Sequence, residues 1–158
     1  MAKVRQARVN DAIFIHKIIK KYAVEFDLLP RGLADIYSQI RDFYIVEEKN
    51  KKIGVVGLHI YWDDLGEIRS FVIESKYRGK GYGSKLISFA INEAEKIGIK
   101  SVFVLTKIPD FFIKYGFKKI PKKNLPQKIW KDCFNCPKFP DCDEYSLIYH
   151  FKNKKAVK

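Results

Sequence analysis

The sequence Y-R-G-K-G-Y-G-S-K-L-I, residues 77–87, places three glycines at alternate positions just before a strongly patterned helix. Glycine weakens a helix start unless the backbone must adopt an unusual conformation or something must approach it closely. Because a strand is predicted before this turn and a helix after it, the backbone N–H groups at the helix start are available to an anion. The arginine and the lysine among the glycines add positive charge. The turn therefore predicts a phosphate site, and the alternative is a merely flexible strand-to-helix connection.

The spacing of these glycines does not fit the two commonest nucleotide-binding loops. A Walker A loop would need a glycine where Glu74 stands, five positions before Gly79. A Rossmann fingerprint needs its third glycine at Ser84, and Gly83 lies one position too early. The predicted anion is therefore held by another kind of strand–turn–helix unit.

The elements around the turn predict an α/β fold. The helix after the turn carries one apolar stripe and is closed by Gly98. Residues 101–106 form a continuous apolar run, the pattern of a strand buried on both faces. Since a strand at 67–74, this helix and strand 101–106 follow one another with short links, they predict a βαβ crossover with parallel strands. The other predicted elements are a short strand from Lys3, helices at 11–24, 30–40 and 110–117, strands at 43–48, 52–62 and 144–151, and a turn at Asn50.

No repeat or linker separates these elements, so we expect residues 1–158 to form a single domain. Within it, residues 124–145 would be a loop containing cysteines and prolines, and residues 152–158 a basic tail. The stretch 11–24 and the helix after the glycine turn both carry apolar stripes that need a sheet to cover them. We therefore expect a mixed sheet with helices on both faces.

The composition fits a folded protein with a basic surface. Hydrophobic residues make up 47 % of the chain, and no apolar run approaches the roughly 20 residues of a membrane helix. The N-terminus lacks a signal-peptide segment, so we expect an intracellular, cytoplasmic protein without a membrane partner. The net charge of +13 comes mostly from scattered lysines, which indicate either a solvated surface or attraction of an anionic ligand. Since no aromatic platform motif accompanies the charge, we do not expect a nucleic-acid partner.

The turn R-G-K-G-Y-G, residues 78–83, resembles the signature Q/R-x-x-G-x-G/A of the GNAT N-acetyltransferase superfamily, which binds the pyrophosphate of acetyl-CoA. The resemblance covers nearly the whole chain and includes F-F-I-K-Y-G-F, residues 111–117, where the family often has F-Y-x-x-x-G-F. It implies the GNAT fold, an α/β architecture with a mixed central sheet of six to seven strands and helices on both faces. It also implies acetyl-CoA as the acetyl donor.

The resemblance further implies roles for particular residues. The strand at Phe71, Val72 and Ile73 would part from the next strand and hydrogen-bond the pantetheine arm as a missing strand would. Glu67, eleven positions before Arg78, falls where several family members carry a general base. The alternative for Glu67 is an ordinary exposed strand carboxylate. The residues that would hold the pyrophosphate are Arg78, Gly79, Lys80, Gly81, Tyr82, Gly83 and Ser84.

Acyl transfer to an amine requires the neutral amine, yet an α-amino group with a pKa of about 8 is largely protonated at neutral pH. A carboxylate such as Glu67 could remove that proton, directly or through water, and a backbone N–H of the parted strand could stabilise the oxyanion. Many relatives are thought to protonate the leaving thiolate with the tyrosine of F-Y-x-x-x-G-F, but Phe112 stands there in this chain. Tyr115 is predicted on a different helical face. Thr106, at the end of its strand, or a water is the predicted substitute.

Three further stretches are similar to the acetyltransferase domain of N-acetylglutamate synthases. They are L-L-P-R-G at 28–32, F-V-L-T-K at 103–107 and L-P-Q-K-I-W-K-D-C at 125–133. The chain departs from the pattern of that domain at Gly32 and Lys107. It would be a short, stand-alone version without the amino-acid-kinase domain that many such enzymes carry.

Arg31 and Arg69 are the predicted substrate-binding residues, because an acidic amino acid presents two carboxylates and guanidinium groups bind these bidentately. Strand alternation predicts Arg69 on the same face as Glu67 and Phe71, and the alternative for both arginines is a surface position. The predicted reaction is acetyl-CoA-dependent N-acetylation of a small amino acid, with L-glutamate and arginine biosynthesis as the specific hypothesis. Alternatives are another amine (a protein N-terminus, a lysine or a polyamine) or a non-catalytic acyl-CoA sensor. A homodimer is left open.

All three cysteines, Cys133, Cys136 and Cys142, lie in the segment C-F-N-C-P-K-F-P-D-C. C-x-x-C is a metal-ligand spacing, but a structural zinc site needs four ligands, and only a nearby aspartate or histidine could complete it. We expect reduced cysteines without a metal, in a loop over the substrate end. A weak metal or Fe–S site and a redox bridge are the alternatives. His16 and His59, in apolar-patterned segments, are predicted to pack rather than to react.

Overall fold

The computed structural model describes residues 2–26, 28, 31–125 and 145–151. The helices are α1 Ala12–Phe26, α2 Leu33–Ser38, α3 Tyr82–Lys96 and α4 Pro109–Ile113. The strands are β1 Lys3–Gln6, β2 Phe43–Glu48, β3 Lys51–Ile60, β4 Leu65–Ile73, β5 Ser101–Thr106, β6 Lys118–Lys119 and β7 Tyr145–His150. In this part of the chain, no helix combines the length and the apolar character needed to cross a membrane.

The described strands form one sheet in the order β1-β2-β3-β4-β5-β7-β6. Neighbouring strands are antiparallel except β4 and β5, where Leu65 to Ile68 pair in parallel with Ser101 to Val104. The parallel pairing predicted for the strand–helix–strand unit is therefore confirmed. The predicted mixed α/β sheet of six to seven strands is also confirmed, with seven.

Helices cover both faces of the sheet, as predicted, because side chains of the central strands alternate between two apolar cores. Tyr44 and Val46 of β2 are buried on the side of α3, whereas Phe43 and Ile45 are buried on the side of α1 and α2. In each core an apolar stripe is buried, and this burial stabilises the fold by about 25 cal/mol for every Å² of apolar surface removed from water. The buried residues of the α3 stripe are Leu86, Ile87, Ala90 and Ala94.

A bulge at Ser70 changes the direction of side chains along β4. Ser70 has a φ of +54°, and the register between β3 and β4 shifts between Val55 and Gly57. A bulge adds one residue to a strand, so side chains beyond it point to the other face of the sheet. Accordingly, Ile68 packs in the core on the α3 side, and Val72, four residues later, packs in the core on the α1 side.

The strands β4 and β5 part after Ile68, just before the bulge. Their last parallel pair is Ile68 with Val104, although β4 continues to Ile73 and β5 to Thr106. Within the described residues, the backbone of Phe71–Ile73 has no strand pairing on the β5 side. The splayed strands predicted from the sequence are therefore present.

Some element boundaries differ from those predicted. Helix α2 is short, because the chain passes into a 3-10 turn at Ile40–Asp42 instead of continuing an α-helix. The predicted turn at Asn50 is confirmed, since Lys49 and Asn50 have φ values of +50° and +63°, as a two-residue hairpin turn requires. The two-residue strand β6 was not predicted, because two lysines carry no alternating pattern.

Candidate active site

A cleft of about 420 Å³ opens where β4 and β5 part. One wall is the unpaired end of β4, a second is the glycine turn with the start of α3, and a third is α4 with the residue before it. Its lining is largely apolar, with the exposed backbone of the turn at one end. The lining residues are Phe71, Val72, Ile73, Tyr77, Arg78, Gly79, Gly81, Tyr82, Gly83, Ser84, Ile108, Phe111 and Lys114. Of the residues predicted to hold the donor, all except Lys80 line this cleft.

The glycine turn presents bare backbone to the cleft. Gly79 and Gly81 have φ values of +76° and +90°, which other residues adopt only at a cost, and a Cβ at either would meet nothing within 4 Å. Conformation, not crowding, therefore requires glycine at both positions. Gly83 differs, because its Cβ would lie 3.0 Å from Cζ of Phe71. Since the first N–H groups of α3 have no partner within the helix and Gly81 supplies no side-chain cap, this end of the cleft suits an anion.

The side chain of Arg78 connects the turn to neighbouring elements. Its Nε donates to the carbonyl of Ile73 (3.1 Å), and its Nη1 forms an ion pair with Glu25 at the end of α1 (2.8 Å). The guanidinium also lies over the ring of Tyr22, 4.9 Å from the centroid. The arginine of the signature thus fixes the end of β4 as well as contributing charge to the cleft.

Tyr22 also holds the segment between β4 and the turn. Its hydroxyl donates to Glu74 (2.8 Å) and accepts from the N–H of Ser75 (3.1 Å), while Lys21 pairs with the same carboxylate at 3.1 Å. Burial alone would raise the pKa of Glu74, but the hydrogen bond from Tyr22 and the charge of Lys21 keep that pKa below its usual value. Helix α1 is therefore tied to the wall of the cleft by a charged carboxylate.

Two tyrosines fix the start of α3. The hydroxyl of Tyr82 donates to Glu48 at 2.6 Å, and this hydrogen bond lowers the pKa of Glu48. The hydroxyl of Tyr115 contacts Oγ of Ser84. Tyr115 therefore reaches the glycine turn. The sequence predicted only that Tyr115 lies on a different helical face from Phe112, and it did not indicate this contact. Lys80 is exposed.

Glu67 lies where the two strands begin to part, and it is buried, with 8 % of its surface exposed. The hydroxyl of Tyr61 donates to its Oε1 at 3.2 Å, and Nη1 of Arg69 lies 3.7 Å from the same oxygen. Arg69 in turn donates to Oε1 of Gln39 at 2.8 Å. The alternative of an ordinary exposed carboxylate is therefore wrong for Glu67, and the alternative of a surface position is wrong for Arg69.

The prediction that Arg69 shares a face with Glu67 and Phe71 is confirmed for Glu67 and wrong for Phe71. Arg69 and Glu67 meet on the α2 side of the sheet, but Phe71 packs on Phe111 of α4, with ring centroids 5.5 Å apart. The reason is the bulge at Ser70, which strict strand alternation cannot anticipate. The side chains of Glu67 and Phe71 therefore lie on opposite faces of β4.

The other predicted site residues are placed as follows. Arg31 is half-buried just ahead of α2, while Gln39, the partner of Arg69, follows α2 directly. Thr106 is buried, and its Oγ1 accepts the N–H of Ile108 at 3.0 Å. Phe112 is 1 % exposed and packs in the α3-side core, so it only contributes to packing. Cys133, Cys136 and Cys142 lie outside the described residues.

Sequence reasoning missed a histidine–carboxylate contact beside Glu67. His59 is the cross-strand partner of Glu67, and its Nδ1 lies 2.8 Å from Oδ2 of Asp42. His59, which the sequence predicts to pack rather than to react, belongs to a polar cluster on the α2 side of the sheet. We define this polar cluster as Gln39, Asp42, His59, Tyr61, Glu67 and Arg69. In the described ranges, no group of three or more His, Cys, Asp or Glu side chains is placed to hold a metal ion.

Comparison with known proteins finds that this chain is similar to acetyltransferases. The sequence matches the profile of the acetyltransferase (GNAT) family over residues 14–117. An uncharacterized N-acetyltransferase of Chlorobaculum tepidum is 41 % identical over 92 % of this chain and 94 % of its own length. The amino-acid acetyltransferase of Mycobacterium tuberculosis is 32 % identical over 82 % of this chain and 75 % of its own length.

A solved structure extends the comparison. N-acetylglutamate synthase from Neisseria gonorrhoeae, complexed with coenzyme A and N-acetyl-glutamate, superposes with a TM-score of 0.85 at 25 % identity. The match covers 95 % of this chain but 35 % of that one, so this chain spans about a third of that protein.

Proposed function

Because the chain belongs to the acetyltransferase (GNAT) family, we propose that it transfers the acetyl group of acetyl-CoA to the amino group of a small amino acid, L-glutamate first among them. The observation that carries this proposal is the contact of Glu67 with Arg69, 3.7 Å apart, where β4 parts from β5. The proposed base and the proposed carboxylate-binding group thus contact each other next to the point where the two strands part.

The cleft fits coenzyme A by three features of its own. The unpaired backbone of Phe71–Ile73 can hydrogen-bond an extended amide-containing arm as a strand would. The left-handed Gly79 and Gly81 and the start of α3 offer N–H groups to a pyrophosphate. Bound there, acetyl-CoA supplies an acetyl group already activated as a thioester. The chain has to position this acetyl group, bind the amine, remove a proton from the amine and supply a proton to the leaving thiolate.

We assign to Glu67 the removal of the first proton, that of the acceptor's ammonium group. An amino-acid ammonium group is largely protonated at neutral pH, with a pKa of about 8, and cannot attack until it loses a proton. Glu67 is buried, so its carboxylate is shielded from water, while Tyr61 and Arg69 stabilise its charged form. A backbone N–H of parted β4 would stabilise the negative charge that develops on the acetyl oxygen.

Arg69 would bind the side-chain carboxylate of the acceptor, and Arg31 would be the second substrate-binding arginine. A guanidinium offers a planar fork of donors that matches a carboxylate. Gln39 supports this use of Arg69 because its amide oxygen, 2.8 Å away, holds the guanidinium in place. An acidic amino acid would then place its amine near Glu67.

For the second proton, to the leaving thiolate, Thr106 stays the proposed donor. Its oxygen accepts the N–H of Ile108, which leaves its own O–H to be directed elsewhere. Tyr115 is a second candidate because its hydroxyl reaches Ser84 at the cleft. A phenol is the stronger acid, but the contact with Ser84 ties Tyr115 to the turn.

The relatives support amino-acid acetylation in particular. The Mycobacterium tuberculosis relative is named an amino-acid acetyltransferase, and the Neisseria gonorrhoeae structure holds N-acetyl-glutamate. We extend the proposal accordingly to arginine biosynthesis in the cytoplasm, carried out by residues 1–158 as a single domain.

The test is product identification. The purified chain is incubated with acetyl-CoA and a panel of free amino acids, peptides and polyamines, while CoA thiol release and product masses are followed. N-acetylglutamate should dominate. Acetylated peptides or polyamines in its place would assign another amine, and CoA binding without any thiol release would favour the acyl-CoA sensor.

A further inference from the structure

We propose that Tyr61 is a positioning residue for Glu67, and that the Asp42–His59 pair fixes the ring of Tyr61. The inference rests on the proposed function, in which Glu67 is the base. Tyr61 lies just beyond the end of β3, in the turn that leads to β4. No sequence pattern singles it out, since it falls near the end of the predicted strand 52–62.

The contact itself is direct. The hydroxyl of Tyr61 donates to Oε1 of Glu67 at 3.2 Å, the oxygen that Nη1 of Arg69 also approaches. The backbone of Tyr61 is fixed as well, because its N–H donates to the carbonyl of Leu65 at 2.9 Å and closes the hairpin. A hydrogen bond and a nearby guanidinium at one carboxylate oxygen restrict rotation of the carboxyl group, which an effective base requires.

The ring of Tyr61 is held from both sides. His59 meets it edge-on, with ring centroids 5.0 Å apart, and Phe103 of β5 lies at 5.6 Å on a tilted ring. His59 is itself oriented by Asp42, 2.8 Å from its Nδ1. The order of support therefore runs from Asp42 through His59 and Tyr61 to Glu67.

The groups around Glu67 determine how it should titrate. Polar or charged neighbours come from β3 (His59 and Tyr61), from β4 itself (Arg69) and from the segment after α2 (Asp42). The neighbouring strand β5 places Phe103 opposite Glu67. Helix α1 faces this side of the sheet with the apolar residues Ile15, Ile18 and Ile19.

Removing the Tyr61 hydroxyl should therefore make Glu67 easier to protonate. A hydrogen bond to the charged form favours that form, so its loss moves protonation to higher pH. In free protein labelled with ¹³C-carboxyl glutamate, the Glu67 signal, assigned with Glu67→Gln, should titrate at higher pH in Tyr61→Phe than in the wild type. An unchanged or lower midpoint would overturn the inference.

Two further variants sharpen the test. His59→Gln should move the midpoint in the same direction but less, and an equal or larger movement would overturn the supporting role of His59 by showing that it acts on Glu67 directly. Tyr44→Phe is the matched control, since Tyr44 is a buried tyrosine that packs on Phe89 in the core on the α3 side. It should leave the midpoint where it is.

The titration needs no substrate, so it is independent of the acceptor's identity. In turnover, Tyr61→Phe should lower kcat about fivefold and leave the KM for acetyl-CoA unchanged. If the wild type acetylates no amine, the proposed function fails while the titration still decides the role of Tyr61. If kcat is normal in Tyr61→Phe despite a moved midpoint, positioning for catalysis is refuted.

Discussion

The cleft and the polar cluster are built from different parts of the chain. The exposed backbone of the cleft, at the unpaired end of β4 and in the glycine turn, comes from one stretch of sequence, and α4 adds the third wall. The polar cluster is entirely side chains, from the segment after α2, from β3 and its turn, and from β4. A backbone site depends on conformation and tolerates changes in side chains, whereas a side-chain site depends on the identity of each residue.

The largest expected effect is at the centre of the polar cluster. Glu67→Gln should lower kcat by about 10²- to 10⁴-fold, because the variant cannot accept the proton of the amine. Affinity for CoA, measured by calorimetry, should stay the same. Glu95→Gln, at an exposed position of α3, is the matched control. Activity within a factor of ten of wild type would assign the base elsewhere.

The next effect concerns selectivity for the acceptor. Arg69→Gln should raise the KM for glutamate about 30-fold and reduce the preference for glutamate over leucine, since the side-chain carboxylate loses its guanidinium partner. Arg41→Gln, an exposed arginine in the 3-10 turn, should change neither. Equal losses for glutamate and leucine would show that Arg69 acts only through Glu67.

The cleft should respond to backbone conformation. Gly81→Ala strains a residue at φ +90° and should weaken CoA binding about tenfold, which is about 1.4 kcal/mol. Gly98→Ala has the same φ of +90° and the same open surroundings, but it lies beyond the far end of α3. It should lose similar unfolding stability and keep full CoA affinity. Similar losses of CoA affinity in both variants would refute a specific role of the turn.

Smaller effects are expected from substituting the two candidate proton donors, Thr106 and Tyr115. Thr106→Val should lower kcat about fivefold, because a thiolate with a pKa of about 8.5 leaves without full protonation. Tyr115→Phe, which loses the contact with Ser84, should instead weaken CoA binding. The reverse pattern in kcat and Kd would make Tyr115 the proton donor.

The smallest effect on both regions is expected from Asp11, which is remote from them. The hydrogen bond from Arg5, supported by Lys52, holds the pKa of this buried carboxyl far below its usual value despite burial. Its stabilising effect is therefore complete above the unfolded aspartate pKa of about 3.9 and is lost as the pH falls below it. Asp11→Asn should lower the free energy of unfolding by about 2 kcal/mol at pH 7, with the difference shrinking below about pH 4.

Denaturant unfolding at pH 7 and pH 3 measures this difference, and steady-state constants of the folded variant should match the wild type. A difference that grows on acidification would contradict the assigned pKa shift of Asp11.

The sequence was sufficient to predict the cleft but not the polar cluster. Glycines at 79, 81 and 83 report a local conformation, and local conformation can be read from neighbouring residues. The contact of Tyr61 with Glu67, and that of His59 with Asp42, depend on strand register and on where α2 ends. Single-residue events such as the bulge at Ser70 carry no periodic signal, so Phe71 was assigned to the wrong face.

The left-handed Ser70 divides β4 into two halves with separate evolutionary freedom. With the proposed roles, substitutions at Arg69 would change what is acetylated, while the half after the bulge would continue to dock the same donor. A deletion of Ser70 would remove the bulge and leave Phe71 to Ile73 on their present faces, whereas a regular strand that kept every residue would exchange those faces. With the proposed roles, the bulge would separate the choice of acceptor from the choice of donor, which would let one scaffold diversify its substrates without rebuilding its cofactor site.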